Sequence, residues 1–261
     1  MTAAQDDRTD AGLAERLAAA RERIAAAARA AGRDPAQVRL LLASKRMPVD
    51  VVREAVLAGG DLLGENTVQE LVAKAPELAP LGAELHLIGH LQSNKVNATL
   101  RWAHCVQSVD TLALAERLSR RCVATDRDLD VMVQVNVSGE PSKSGADPED
   151  AAELAAAVAA LPRLRLVGFM TIGANTDDEA VVRAGFTRLR DLRDAVVGSG
   201  APGTTTATEL SMGMSGDLEL AVAEGATIVR LGTAVFGARP APAPDGPIRG
   251  SSGAVARTRV D

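Results

Sequence analysis

The sequence predicts an α/β protein of the (β/α)8, TIM-type class: one barrel domain with an extra helix at its N-terminal side. Three observations lead there. Eight short apolar runs alternate with helical patterns along the chain. Many of these runs are apolar at successive positions, as strands covered on both faces must be. A length of 261 residues also suits a single barrel.

The elements follow in order. AGLAERLAAARERIAAAARAAG puts Leu13, Leu17, Ile24 and Ala28 on one helical face with charges opposite, and Gly32 is a natural stop after it. Strand-like runs come next at RLLLAS (39–44), LLGE (62–65), LHLIG (85–89) and CVQSV (105–109). The second four are VMVQVNV (131–137), LVGFMTI (166–172), LSMGM (210–214) and IVRLG (228–232). Helical stretches separate them. PEDAAELAAAVAAL opens with Pro148 and acids in its first turn. DDEAVVRAGFTRLRDLRDAVV aligns Val182, Phe186, Leu189, Leu192 and Val196. SGDLELAVAEG begins after Ser215 and stops at Gly225. The alternative architecture, an open doubly wound sheet, wants a GxGxxG after its first strand, and none stands there. Residues 1–9 read as a flexible leader, 10–238 as the barrel and 239–261 as a disordered Pro/Gly-rich tail.

Composition excludes several function classes. The 29 Lys+Arg are scattered and the net charge is -5, which argues against a nucleic-acid footprint. Aromatics at 2% leave no stacking platform for single strands. No apolar run is long enough to span a bilayer, and MTAAQDDRTD has neither the basic start nor the apolar stretch of a signal peptide. Cys105 and Cys122 lack metal-ligand or CxxC spacing and suit a reducing cytoplasm as buried thiols. Three histidines without HExxH leave no zinc motif.

Barrel sites sit at the C-terminal ends of the strands. Those ends carry Lys45, Glu65 with Asn66, His90, Asp110, Asn136, Thr171, Ser215, and Gly232 with Thr233. Lys45 closes an apolar strand just before Met-Pro; it is either a surface lysine or an amine held at the mouth of the core to form an imine. The turns SMGMSGD and VRLGTAVFG fall in the seventh and eighth slots, the habitual barrel phosphate site, where backbone N–H groups bind a dianion. Taken singly, Gly213, Gly216 and Gly232 are better read as tight-turn glycines; two such turns in the seventh and eighth slots together favour phosphate. Arg230 alternates with Val229 and Leu231, so it faces the barrel interior or mouth and needs a partner. That partner is a barrel carboxylate or a pyridine nitrogen. Lysine, phosphate cradle and arginine as a set suggest pyridoxal 5′-phosphate, whose aldehyde condenses with a neutral amine.

The stretches ASKRMP, LLGENTVQE, LHLIGHLQSNK, QSVD, QVNVSGEPSKSG, VGFMTIG and LSMGMSGDLELAVAEGATIVRLGTAVFG span 43–237 in order. With them the chain resembles the pyridoxal phosphate homeostasis protein family, relatives of the alanine racemase barrel domain (pyridoxal-phosphate fold type III). The resemblance implies that Lys45 is the Schiff-base lysine. It further implies that Ser215, Gly232 and Thr233 hold the phosphate, with Met214 beside them in the cofactor-binding set. Arg230 would face the pyridine nitrogen and Asn66 would line the pocket. Lys143 falls on a second family lysine with a role in cofactor loading or release. The family commonly reads GENY where Thr67 stands here, which removes any part that tyrosine plays.

Two functions follow from different classes. One is a non-catalytic cytoplasmic protein, a monomer, that stores pyridoxal 5′-phosphate and delivers it to apo enzymes. The other is an amino-acid racemase. Racemization by the alanine racemase route needs a proton donor-acceptor on each face of the carbanion, and the resembling enzymes use a tyrosine from a second domain. This chain has no tyrosine, and nothing marks Cys105 or His90 as its substitute. An arginine at the pyridine nitrogen also disfavours ring protonation and weakens the electron sink. The expectation is a carrier, not an enzyme.

Overall fold

Leu13, Leu17 and Ile24 recur at three- and four-residue steps through an alanine-rich stretch, so one stripe of the helix must be covered. In the computed structural model, which describes residues 12–140 and 143–237, that helix is α1 (Leu13–Ala30) and those three side chains are buried. Each burial contributes roughly 1.5–3 kcal/mol. Gly32 follows in the left-handed conformation at φ 68°, as expected of a stop. The expected leader (1–9) and tail (239–261) lie outside the described residues.

The alternation then runs as predicted. β1 (Arg39–Ala43) leads to α2 (Val49–Leu57), β2 (Leu62–Glu65) to α3 (Val68–Leu78), β3 (Glu84–Leu87) to α4 (Val96–Leu100) and β4 (Cys105–Val109) to α5 (Leu112–Ala124). β5 (Leu129–Gln134) is followed by α6 (Ala151–Ala159), β6 (Leu164–Met170) by α7 (Glu179–Gly198), β7 (Glu209–Ser211) by α8 (Leu218–Ala223) and β8 (Ile228–Leu231) by α9 (Thr233–Phe236). The strands form a closed parallel barrel in chain order. It closes where Arg39 pairs with Ile228 and Leu42 with Leu231.

Period-two alternation sorts the strand side chains into two layers. Leu41, Leu62, Cys105, Met132, Met170 and Ile228 pack together inside the barrel. Leu42, Leu63, Leu85 and Leu87 pack outward against the helices. A buried polar string, described below, shares the interior with the first set.

Several boundaries differ from the sequence expectation, and four of them have a local reason. β7 ends at Ser211 because Gly213, at φ 94°, turns the chain, and a Cβ there would come 2.5 Å from the Ala221 Cβ. Only glycine lets α8 settle that close. β5 ends at Gln134 because residues 144–146 fold back over it, Ala146 N–H donating to the Gln134 carbonyl at 2.8 Å. α6 starts at Ala151, after a turn closed by Asp150 N–H on the Asp147 carbonyl, and α8 starts at Leu218 after a similar turn from Met214 to Asp217.

The extra helix braces the closing end of the barrel. Arg16 Nε donates to the Val235 carbonyl at 2.7 Å, and Arg23 Nη2 to the Ser215 carbonyl at 2.9 Å. Arg33, just past α1, donates to the carbonyls of Val222 and Ala226. Among the described residues no helix is long and apolar enough to cross a membrane.

Candidate functional site

Past the end of β1, alternation turns Ser44 outward and Lys45 toward the mouth. Ser44 is fully buried; its hydroxyl donates to Glu65 Oε1 at 2.6 Å and its N–H to the Gly64 carbonyl. Lys74, reaching in from α3, donates to the Ser44 carbonyl at 2.7 Å and to Glu65 Oε1 at 2.9 Å. Burial pushes the Glu65 carboxyl up, with the Ser44 and Lys74 hydrogen bonds opposing, and its Oε2 has no hydrogen-bond partner among the described residues. Arg46, the residue after Lys45, stands at φ 61°, which a side chain rarely adopts, and its N–H is held by the Glu70 carboxylate. The turn that carries Lys45 is therefore fixed on both sides.

Lys45 itself is half-buried, in a cleft it shares with Ala43, Met47, Gly232, Thr233 and Phe236. The first and last strands, adjacent in the closed barrel, thus bring together the lysine and the Gly-Thr turn predicted from sequence. Asn66 follows β2 on the other flank of β1, half-buried. Its backbone is approached so closely by Gly89 that a Cβ there would come 1.9 Å from the Asn66 carbonyl oxygen. This explains the glycine in LHLIG.

Arg230 is buried, and its guanidinium lies among the C-terminal ends of β6, β7 and β8. Nη1 donates to Ser211 Oγ at 3.0 Å and Nη2 to the Thr171 carbonyl at 2.8 Å. Among the described residues it makes no ion pair, so the barrel-carboxylate partner considered from sequence is not there; a hydroxyl and a carbonyl take its place. Burial draws the guanidinium down to about 10, with the more distant Asp217 opposing.

The β7–α8 turn lies beside β8, since Arg230 N–H donates to the Gly213 carbonyl at 2.9 Å. Met214 is exposed at its tip, its N–H held by Asp217 Oδ1 at 2.6 Å. Ser215 is exposed, and its carbonyl carries the Arg23 bond from α1. Lys143 stands apart, after β5 and across the mouth from β1. Its Nζ donates to Glu140 Oε1 at 2.6 Å and to the Gly173 carbonyl at 2.8 Å. His90 is exposed, 3.9 Å from Asp110 Oδ2. Cys105 is buried in the interior layer, which pushes its thiol well up. Thr67 caps α3 by accepting the Glu70 N–H at 3.3 Å.

Two groups of residues escaped the sequence reading. One is Ser44 and Lys74 around Glu65. The other is a string inside the barrel: Ser211 Oγ donates to Gln107 Oε1 at 2.7 Å, Gln107 Nε2 meets His86 Nδ1 at 2.7 Å, and His86 Nε2 meets Glu84 Oε1 at 2.7 Å. Arg39 Nη2 closes it by donating to Glu84 Oε2. The signal was present in part: like Arg230, these polar side chains occupy inward phases of otherwise apolar strands.

This mouth, with a lysine, a glycine turn and a buried cation at adjacent strand ends, crowns a barrel of the alanine racemase N-terminal class. The family model for the alanine racemase N-terminal domain matches residues 16–240. At 16% identity and a TM-score of 0.63, covering 78% of this chain and 53% of the other, an alanine racemase of Clostridium difficile shares the fold. Much nearer are the pyridoxal phosphate homeostasis proteins of Pseudomonas aeruginosa, 50% identical over 233 residues (89% of this chain, 98% of that one), and of Escherichia coli, 44% identical over 233 residues (87% and 97%). PipY of Synechococcus elongatus, solved with PLP bound, is 38% identical with a TM-score of 0.76, covering 87% of this chain and 100% of that one. The chain belongs to the pyridoxal phosphate homeostasis protein family.

Proposed function

We propose that this protein is a non-catalytic carrier of pyridoxal 5′-phosphate, holding the cofactor through Lys45 and delivering it to apo enzymes. One observation carries the reading: Lys45 shares its cleft with Gly232 and Thr233, next to a buried arginine that has no ion pair among the described residues. The cofactor fits this set. It would supply an aldehyde that condenses with the neutral Lys45 amine, forming a C=N bond and releasing water. Main-chain N–H groups at Ser215, in the turn between β7 and α8, and at Gly232 and Thr233, where α9 opens and the first N–H groups lack intrahelical acceptors, would take the phosphate. Met214 and Asn66 would flank the ring, and Arg230 would donate to the pyridine nitrogen. The PLP bound in PipY, at 38% identity, supports the assignment.

An arginine at that nitrogen works against transamination and decarboxylation. A fixed positive charge repels the added proton, and an unprotonated ring withdraws electrons poorly. The chain has no tyrosine to serve as a second base, Cys105 is buried in the interior layer, and His90 is exposed at the rim. These features favour carriage over racemization. Lys143 would act during loading or release, from across the mouth, once freed from Glu140. Buried free thiols at Cys105 and Cys122 suit a reducing cytoplasm, where the carrier would act as a monomer.

The test is borohydride reduction of cofactor-loaded protein followed by peptide mapping, beside transfer to an apo enzyme and an amino-acid racemase assay. The expected result is a label at Lys45, lost in Lys45→Ala, with reactivation of the apo enzyme and no turnover of amino acid. A label elsewhere, or substantial racemization, overturns the reading.

A further inference from the structure

The string inside the barrel has only one direction. Arg230 can only donate, so Ser211 Oγ accepts from it and sends its single proton to Gln107 Oε1. That orients the Gln107 amide, whose Nε2 donates to His86 Nδ1. With Nδ1 an acceptor, the ring proton of the neutral imidazole sits on Nε2 and is donated to Glu84 Oε1. Every dipole thus points the same way, from a cation at the mouth to a carboxylate at the far end of the strands. Aligned hydrogen bonds polarise one another in a low-dielectric interior. Gln107 and Ser211 are fully buried and His86 is 3% exposed, so water does not compete along the central links.

We propose that Ser211, Gln107 and His86 are positioning residues: a one-way relay that fixes the Arg230 guanidinium against the cofactor ring and ties it, through three neutral groups, to the Glu84 carboxylate that Arg39 anchors from the other side. The inference rests on the cofactor reading above. Its physical content is that a buried cation without a direct carboxylate is free to turn toward a ligand acceptor, yet needs an aligned set of dipoles to remain charged and oriented. A carboxylate in contact would neutralise it and hold it away from the ring.

Stability alone does not test this, because buried polar groups replaced by apolar ones of similar volume often leave stability unchanged. The decisive readout is the protonation state of the ring nitrogen, followed by ¹⁵N resonance of ring-labelled pyridoxal phosphate bound to the full chain. Wild type is first reduced with borohydride; absence of a Lys45 adduct removes the cofactor reading and this inference with it. Given that adduct, Ser211→Ala and Gln107→Leu are expected to retain it while the ring-nitrogen resonance moves toward the protonated value. Ser211→Thr, which keeps the hydroxyl, is expected to hold the wild-type resonance. Gln107 is two hydrogen bonds from the guanidinium, so a shift in that variant reports the relay. If Gln107→Leu does not fold, the Ser211→Ala and Ser211→Thr pair decides. An unchanged resonance in adduct-bearing Ser211→Ala overturns the proposal.

Discussion

Inside the barrel, the guanidinium of Arg230 is separated from the carboxylate of Glu84 by Ser211, Gln107 and His86; behind the neighbouring strands, Lys74 touches Glu65 directly at 2.9 Å. Both arrangements bury a cation, and they do different work. The direct pair ties α3 to the turn bearing Lys45, because Lys74 bonds the Ser44 carbonyl as well as the carboxylate. It is a local clamp, with Glu65 Oε2 left unpaired among the described residues. The stretched pair leaves its cation held at the mouth by a hydroxyl and a carbonyl, with no carboxylate in contact among the described residues. Contact between opposite charges locks a backbone, whereas separation by aligned dipoles keeps a charge available.

That contrast is broken most severely at the clamp. Lys74→Met leaves a buried carboxylate without its cation and is expected to lower stability by about 3–5 kcal/mol, measured by urea unfolding. Adding Glu65→Leu to it should recover part of the loss, and a double variant no more stable than the single would show that the charge is not the cause. A smaller effect is expected at the helix that delivers Lys74. Thr67 caps α3, so Thr67→Ala should cost about 1 kcal/mol in the same measurement, and no change would mean that the cap is idle.

The smallest effect belongs to the relay's outer end. His86 and Arg39 hold the Glu84 carboxyl down from 4.5 to about 2. A depressed carboxyl contributes stability above its unfolded value and loses it as pH falls through the folded one, here from about 4.5 toward about 2. Glu84 is partly exposed, so solvent screening holds the contribution to less than about 1 kcal/mol. Acid unfolding of Glu84→Gln should lack this component; an identical acid profile in both proteins would remove Glu84 as a charged terminus.

The architecture was legible because its signals are local. Eight apolar runs, glycines at turns and a lysine ending the first run are each visible within a few residues, and closure brings the ends of β1 and β8 together. Strand ends blurred where tertiary contacts trimmed them, as where residues 144–146 cover the end of β5. The polar networks were not legible for a different reason. Lys74 sits among charges in an amphipathic helix, and nothing nearby in sequence says that it turns inward. Gln107 and Ser211 are 104 positions apart, and a polar residue on a strand does not name its partner. Thr67 was noted as a departure from the family; its capping role became visible only with the backbone of α3.

The arginines of the extra helix reach the carbonyls of Ser215 and Val235, next to the two turns proposed to hold the phosphate. In a chain trimmed to the bare eightfold repeat, those turns would lose their outside splint. For a protein proposed to hold a cofactor and let it go, dwell time would then be set partly from the outer wall, by a segment outside the cleft.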